Sequence, residues 1–259
     1  MIIKALCMGI VWFSLVACSG AGGSVRVLSY NIHHGRGTDG RIDLKRIARI
    51  IRESKADIVA LQEVDRATKR SNGVDQAARL AQLTHMHLAF GKAIDFAGGE
   101  YGIAILSRWP ILEEQNHPLP FTPGREARTA LVVRIKLGSF GSDIRVVNTH
   151  LDHTRDPTDR LAAAQRLNHL LMDKAGLPAL LVGDLNAVPD SQTIGVLLEH
   201  WSDSAARYPQ PTSPANDPRR RIDYVLFRPA SNWRVVRAYV LDEPIASDHR
   251  PLLVLLRLK

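Results

Sequence analysis

Carboxylates, amides and imidazoles stand where apolar runs of this chain end. Asn31 closes Val25–Asn31, Glu63 closes Ile58–Glu63, and His150 closes Val146–His150. Asp184 and Asn186 follow Leu181-Val182-Gly183, and Asp223 sits inside Arg221-Ile222-Asp223-Tyr224. Asp248 and His249 precede the last apolar run, Leu252–Leu256. Polar groups at strand ends of a two-layer scaffold can converge on one cleft. A carboxylate buried there is costly unless it is paired or bound to metal. Phosphoester hydrolysis needs such a set. Oxygen donors hold Mg²⁺, which keeps several waters and takes only one or two carboxylates from the protein. The ion neutralises the phosphate and the departing oxygen. Imidazole serves as general acid or base near neutral pH, and an amide steadies a phosphoryl oxygen as charge builds on it.

These groups require elements to position them. Asp43 is suited to cap a helix whose Leu44, Ile47, Ile50 and Ile51 share one face. A second helical stretch at 74–84 carries Val74, Ala77, Ala78 and Ala81 at helical spacing. Pro157 is placed to open a third, with Ala163, Leu167, Leu170 and Leu171 on its buried side. Strand-like runs fall at 25–31, 58–63, 101–107, 127–137, 144–150, 179–182, 222–227 and 252–256. The Pro-, Ser- and Arg-rich segment 203–221 reads as a long surface loop. Many strands and a few helices in one stretch from 25 to 259 imply an α/β sandwich, two packed sheets with helices outside.

The first residues read differently. Lys4 precedes the apolar run Ala5–Ala17, and Ser19–Ser24 is small and polar. That order describes an export signal over 1–17 and a flexible tether over 18–24, ahead of a catalytic domain over 25–259. Leu15-Val16-Ala17-Cys18 resembles the lipobox of bacterial lipoproteins, which implies an acylated Cys18 and an envelope protein held on a periplasmic or outer membrane. The only cysteines are Cys7 and Cys18, so cleavage before Cys18 leaves no internal disulfide and no thiolate metal site in the body. The formal charge is +8, and a leader containing one lysine leaves +7 after removal. A basic body favours anionic partners.

Each motif alone is also an ordinary strand end, turn or helix cap. Their ordered set is more specific. Ser29-Tyr30-Asn31-Ile32, Leu61-Gln62-Glu63, Tyr101-Gly102-Ile103-Ala104, Asn148-Thr149-His150-Leu151, Gly183-Asp184-Leu185-Asn186, Arg221-Ile222-Asp223-Tyr224 and Ser247-Asp248-His249-Arg250-Pro251 resemble the motifs of the endonuclease/exonuclease/phosphatase superfamily. That group includes pancreatic-type deoxyribonuclease, abasic-site endonucleases, inositol polyphosphate 5-phosphatases and neutral sphingomyelinases. The resemblance implies a four-layer sandwich with two mainly antiparallel sheets facing each other. It implies a monomeric, Mg²⁺-dependent hydrolase, with Mn²⁺ as an alternative ion. Glu63 would be the principal metal ligand, with Asn31 beside it and Asp248 nearby. Asp184 would orient or activate the attacking water, and Asn186 would contact the scissile phosphate. His150 would bond a phosphate oxygen. His249 would be the second imidazole, oriented by Asp223. Which group takes the water's proton stays open.

Several residues fall outside the shared set. His33, His34 and His153 are placed either to line the cleft or to sit in solvated loops. Asp152 would take a second ion or support His150, and Arg128 either approaches the phosphate or lies on a surface strand. The leading function is a phosphodiesterase. Its anionic substrate would be nucleic acid, a phospholipid headgroup or an inositol phosphate. The alternatives are a nuclease, a phospholipid or sphingolipid phosphodiesterase, and a non-catalytic module that binds lipid or nucleic acid.

Overall fold

The computed structural model describes residues 23–138, 141–170 and 176–259. The expected signal over 1–17, most of the tether and Leu171 lie outside the described residues. Two six-stranded sheets pack face to face. The first runs β11 (Trp233–Val240), β12 (Leu252–Leu258), β1 (Ser24–Asn31), β2 (Ile58–Arg66), β4 (Gly99–Ser107) and β3 (His87–Phe96). The second runs β5 (Ile111–Pro118), β6 (Thr129–Leu137), β7 (Ser142–His150), β8 (Ala179–Asp184), β10 (Asp223–Arg228) and β9 (Ser202–Asp203). Each sheet holds one parallel pair, β1 with β2 and β7 with β8, and every other pairing is antiparallel.

The apolar patterning explains the layers. Val25, Val27, Ile105, Val133, Val146, Val182 and Val254 meet between the sheets. Helices α1 (Leu44–Ser54) and α2 (Gln76–Thr84) cover the outer face of the first sheet, where Ile47, Ile51 and Leu80 join Leu28 and Leu61. Helices α3 (Thr158–Leu170) and α4 (Gln192–Leu198) cover the second, where Ala163, Leu167 and Leu197 join Val147 and Leu181. Asp43 caps α1 by accepting from the Arg46 N–H at 3.0 Å. Among the described residues no helix is long and apolar enough to cross a membrane.

Four readings of the sequence change. Strands β3, β5 and β11 lie at sheet edges, where solvated faces replace the apolar run that marks a central strand. Helix α4 is a further element outside those expectations, seven residues long behind a Ser191 cap. Helix α2 begins after Asp75, so Val74 is outside it and exposed, and Leu80 rather than Ala78 faces the core. The 203–221 segment is not simply a surface loop: Thr212, Ser213 and Ala215 are buried. It pins the chain around His249, because the Ala215 N–H donates to the Asp248 carbonyl and the Arg250 N–H to the Thr212 carbonyl, both at 2.7 Å.

Strand β2 carries the feature on which the site turns. Its pairing with β4 jumps between Leu61 and Val64, and Glu63 in that bulge adopts φ +56°. The strand therefore continues to Arg66 instead of ending at Glu63. A bulge re-aims a side chain and interrupts the ladder. Asn148 of β7 crosses from the other sheet to satisfy what the interruption frees. Its Nδ2 donates to the Leu61 and Ala104 carbonyls, both at 2.8 Å, and its Oδ1 accepts from Gln62 Nε2 at 2.7 Å. All of these groups are buried, and an unsatisfied buried group costs about 1–3 kcal/mol. Asn148→Leu keeps the volume and removes all three bonds. It should lower the unfolding free energy by roughly 3 kcal/mol or more in urea titration; a loss below about 1 kcal/mol would show that the bulge does not depend on this clamp.

Candidate active site

The site lies at the carboxyl ends of the two parallel pairs. Gly183 makes close pairing of β7 with β8 possible. Its φ is +152°, and a Cβ there would stand 2.0 Å from the Thr149 carbonyl oxygen. With Thr149 level with Gly183, His150 is level with Asp184. On the other side of β8, Asp223 of β10 is also level with Asp184. One row across the sheet thus reads His150, Asp184, Asp223, and all three are buried.

His249 completes the row from the last loop. Ser247 Oγ holds that loop to β1 by donating to the Asn31 carbonyl at 2.7 Å. His249 Nδ1 lies 2.9 Å from Asp223 Oδ2, and its Nε2 lies 3.7 Å from Asp184 Oδ2. Arg221 pairs with Asp203 at 2.6 Å and Arg250 with Asp242 at 2.8 Å, so neither arginine is the partner of Asp223. Burial opposes the charged imidazole of His249, but the Asp223 and Asp184 carboxylates outweigh it and raise its pKa to about 10. Burial raises Asp184 to about 7 against the pull of His249. His150 is pushed well below the usual histidine value by burial and by Arg128. Its Nε2 is 3.6 Å from Asp184 Oδ2 and 3.1 Å from Asn186 Nδ2.

The first sheet supplies the opposite wall. Asn31 Nδ2 donates to Glu63 Oε1 at 2.9 Å and to Asp184 Oδ2 at 3.1 Å. Asn31 was expected as a metal ligand beside Glu63. It is beside Glu63, and its Oδ1 accepts from the His33 N–H at 3.0 Å. The amide presents its N–H₂ to the two carboxylates and holds them. Asp248 is half-exposed, with Oδ1 3.9 Å from His33 Nδ1.

A cavity of about 410 Å³ opens over these groups, lined among others by Glu63, Arg128, His150, Asp184, Asn186 and His249. Donor atoms of His33, His34 and Glu63 lie within 4.8 Å of one another, as do those of Asp184, Asp223 and His249. Arg128 is buried in the wall, with Nη1 3.0 Å from His150 Nδ1 and Nη2 3.3 Å from His153 Nδ1. Asp152 serves the loop: it accepts from the Thr154 N–H at 3.1 Å and faces Arg160 at 3.7 Å. Sequence reasoning passed over Arg70 and Phe96, which also line the cavity. The Arg70 guanidinium grips buried Asp65 at 2.7 Å and stacks 4.4 Å from the Phe96 ring. Neither belongs to a motif, and Phe96 stands on an edge strand without an apolar run.

Residues 28–249 match the family model of the endonuclease/exonuclease/phosphatase family. The chain belongs to that family. As an endonuclease/exonuclease/phosphatase family member it is a phosphoester hydrolase, with a buried carboxylate–imidazole cluster suited to a divalent metal. The family protein from Beutenbergia cavernae is similar in structure, with TM-score 0.75, 28% identity, and 91% of this chain and 72% of that one covered. The uncharacterised YbhP of Escherichia coli K12 is 28% identical over 243 residues, 88% of this chain and 94% of YbhP. The mannosyl-6-phosphatase Bt3783 of Bacteroides thetaiotaomicron shares the fold at TM-score 0.74 and 21% identity, with 90% of this chain and 99% of that one covered.

The raised pKa of His249 makes stability depend on pH. Its folded value of about 10 exceeds the ordinary 6.5, so the charged dyad stabilises fully below pH 6.5 and is lost as pH rises through about 10. Thermal melts in chelator should therefore show Asp223→Asn well below wild type at pH 6, with the gap narrowing toward pH 10. A gap that is constant over this range would remove the charged pair.

Proposed function

We propose that the chain is a divalent-metal-dependent phosphodiesterase in which water attacks phosphorus. The observation that carries this reading is the row His150–Asp184–Asp223 with His249, facing Glu63 across one cavity. Glu63 fits a divalent ion: Oε1 is taken by Asn31, and Oε2 has no partner among the described residues. When bound there, Mg²⁺ or Mn²⁺ would neutralise charge on the phosphoryl group and the departing oxygen.

Asp184 is the base in this scheme. Burial raises its pKa above the ordinary carboxylate value, which makes it a stronger acceptor for the water's proton. His249, kept charged by Asp223, offers its Nε2–H to a phosphoryl oxygen. Asn186 and His150 flank the same space as neutral partners for the other oxygens. The charge available favours a diester. Arg70 is already engaged by Asp65, and Arg128 pairs with Glu126 at 2.9 Å, so little free cationic charge remains for a dianion. A singly charged diester asks less of this cleft.

Turnover of bis(p-nitrophenyl) phosphate should require Mg²⁺ or Mn²⁺ and exceed that of p-nitrophenyl phosphate. Faster turnover of the monoester would overturn the diester form, and full activity in excess chelator would overturn metal dependence. His249→Ala should lower kcat by about 10²–10⁴-fold, and Asp223→Asn somewhat less. The double variant should be little worse than His249→Ala alone, because the two act as one unit. Additive losses would break the dyad.

Membrane anchoring through Cys18 belongs to the same proposal, supported by the lipobox-like Leu15–Cys18 and the basic body. Several acyl chains give stable anchoring where one gives marginal binding. Cys18→Ala should remove incorporation of labelled palmitate in cells; label retained on that variant would exclude Cys18 as the acylated residue.

A further inference from the structure

The acid–imidazole row leaves one group of donors unused. His33 and His34 follow β1 in a single turn, and their ring nitrogens converge with a Glu63 oxygen within 4.8 Å. The His33 ring is oriented: its Nδ1 lies 3.2 Å from the Arg36 carbonyl oxygen, an acceptor only, so Nδ1 carries the proton. The lone pair is then on Nε2. Metal-bound histidines are oriented in just this manner, with the second ring nitrogen donating to a carbonyl or carboxylate. Glu63 is oriented likewise, through Asn31.

His34 gives the independent observation. It is 7% exposed, and its Nδ1 is buried with no hydrogen-bond partner. A buried polar atom left unpaired is unfavourable. The bland explanation is packing, since the two rings meet edge to face with centroids 4.6 Å apart. That contact accounts for the carbon edges of the rings and leaves the nitrogen unpaired. The backbone points the same way. His33, His34 and Glu63 all have positive φ, at 46°, 44° and 56°. Non-glycine residues held there are strained, and such strain gathers at ligand clamps. Three ligands with this backbone in one small volume are placed by the fold.

The second converging group, Asp184, Asp223 and His249, is the buried row that the scheme above uses for proton transfer and phosphate contact. Asp184 Oδ1 accepts from the Asn186 N–H and Oδ2 from Asn31, while Asp223 Oδ2 is engaged by His249. Asp223 Oδ1 is buried without a hydrogen-bond partner, but both oxygens of Asp184 are engaged, whereas Glu63 has only Oε1 bonded among the described residues.

We infer that His33, His34 and Glu63 together ligate one divalent transition-metal ion, and that the chain prefers Mn²⁺ or Zn²⁺ over Mg²⁺. The inference deepens the metal dependence proposed above and rests on it only for catalytic meaning. Imidazole suits Mn²⁺ less than Zn²⁺ but both more than Mg²⁺, whose ligands are oxygens and waters. Two imidazoles and one carboxylate leave coordination positions for water and a phosphoryl oxygen.

Binding is measured on the chelator-stripped chain with the metal salts alone. In calorimetric titration Zn²⁺ should bind at least about tenfold tighter than Mg²⁺. His33→Ala and His34→Ala should each weaken Zn²⁺ by at least about tenfold and leave Mg²⁺ little changed, whereas Glu63→Gln should weaken both. Pulsed EPR of the Mn²⁺-loaded wild type should show nitrogen coupling from two imidazoles, a readout that needs no variant and no activity. Absence of nitrogen coupling, or an unchanged Zn²⁺ affinity in His34→Ala, overturns the ligand set. Hydrolysis enters neither measurement. A nitrogen-coupled protein that cleaves no phosphoester would overturn the function proposed above and leave this site standing; an active enzyme without nitrogen coupling would do the reverse.

Discussion

The Asn31 amide holds two carboxylates from different sheets, and the site is organised around that bridge. One Nδ2 donates to Glu63 of the first sheet and to Asp184 of the second. Two carboxylates drawn together repel, and burial makes the repulsion stronger. A shared N–H₂ donor offsets part of it, and the amide cannot swing away because its oxygen is tied to the His33 N–H. The bridge works only if both strand ends arrive at the same depth. On the first sheet the β2 bulge and the Asn148 clamp set that depth. On the second sheet Gly183 does so, by letting β7 and β8 close up.

Both halves of the molecule use the same device. A parallel pair at the sheet centre brings two carboxyl ends side by side, with a helix in each crossover: α1 between β1 and β2, α3 between β7 and β8. Asn31 and Glu63 emerge from one pair, His150 and Asp184 from the other. The sheets face each other through an apolar core, so the polar ends meet at one edge. The 203–221 segment and Ser247 then press His249 against that edge. Rigid strands thus supply the acids, and a pinned loop supplies the charged imidazole.

Central strands were legible in the sequence because burial on both faces leaves an unbroken apolar run, as in Ala179–Val182 and Leu252–Leu256. Edge strands were not. Leu112, Glu113, Glu114 and Gln115 of β5 are exposed, so no apolar pattern marks them. The polar residues at strand ends marked the site's place, and the structure brings His150, Asp184, Asn186, Asp223 and His249 to one cavity wall or the row behind it. What spacing could not convey was orientation. Nothing in Leu61-Gln62-Glu63 announces a bulge, because its cause is an asparagine 85 residues later in the chain. Nor does Asn31 reveal which end of its amide faces the acids. The buried part of 203–221 was hidden by its Pro- and Ser-rich composition, which serves packed irregular backbone as well as exposed loops.

The charges of the cleft give the last constraint. Glu63, Asp184 and Asp223 are three acids, and His249 is the cation that faces two of them. His150 and His34 add no balancing charge: burial drives His150 far down, and burial followed by Arg70 lowers His34 to about 4. The nearby guanidiniums are committed, Arg70 to Asp65 and Arg128 to Glu126. Burial adds to the strain of this imbalance by raising the pKa of Asp184, against the pull of His249. The remaining imbalance falls at Glu63, the acid farthest from His249 in bonding terms, beside the ring nitrogens of His33 and His34. Imidazole nitrogens can complete the shell of a cation that a carboxylate attracts. In the proposed scheme the base is Asp184 and the metal belongs to the opposite wall, and the Asn31 bridge would keep the two one side chain apart.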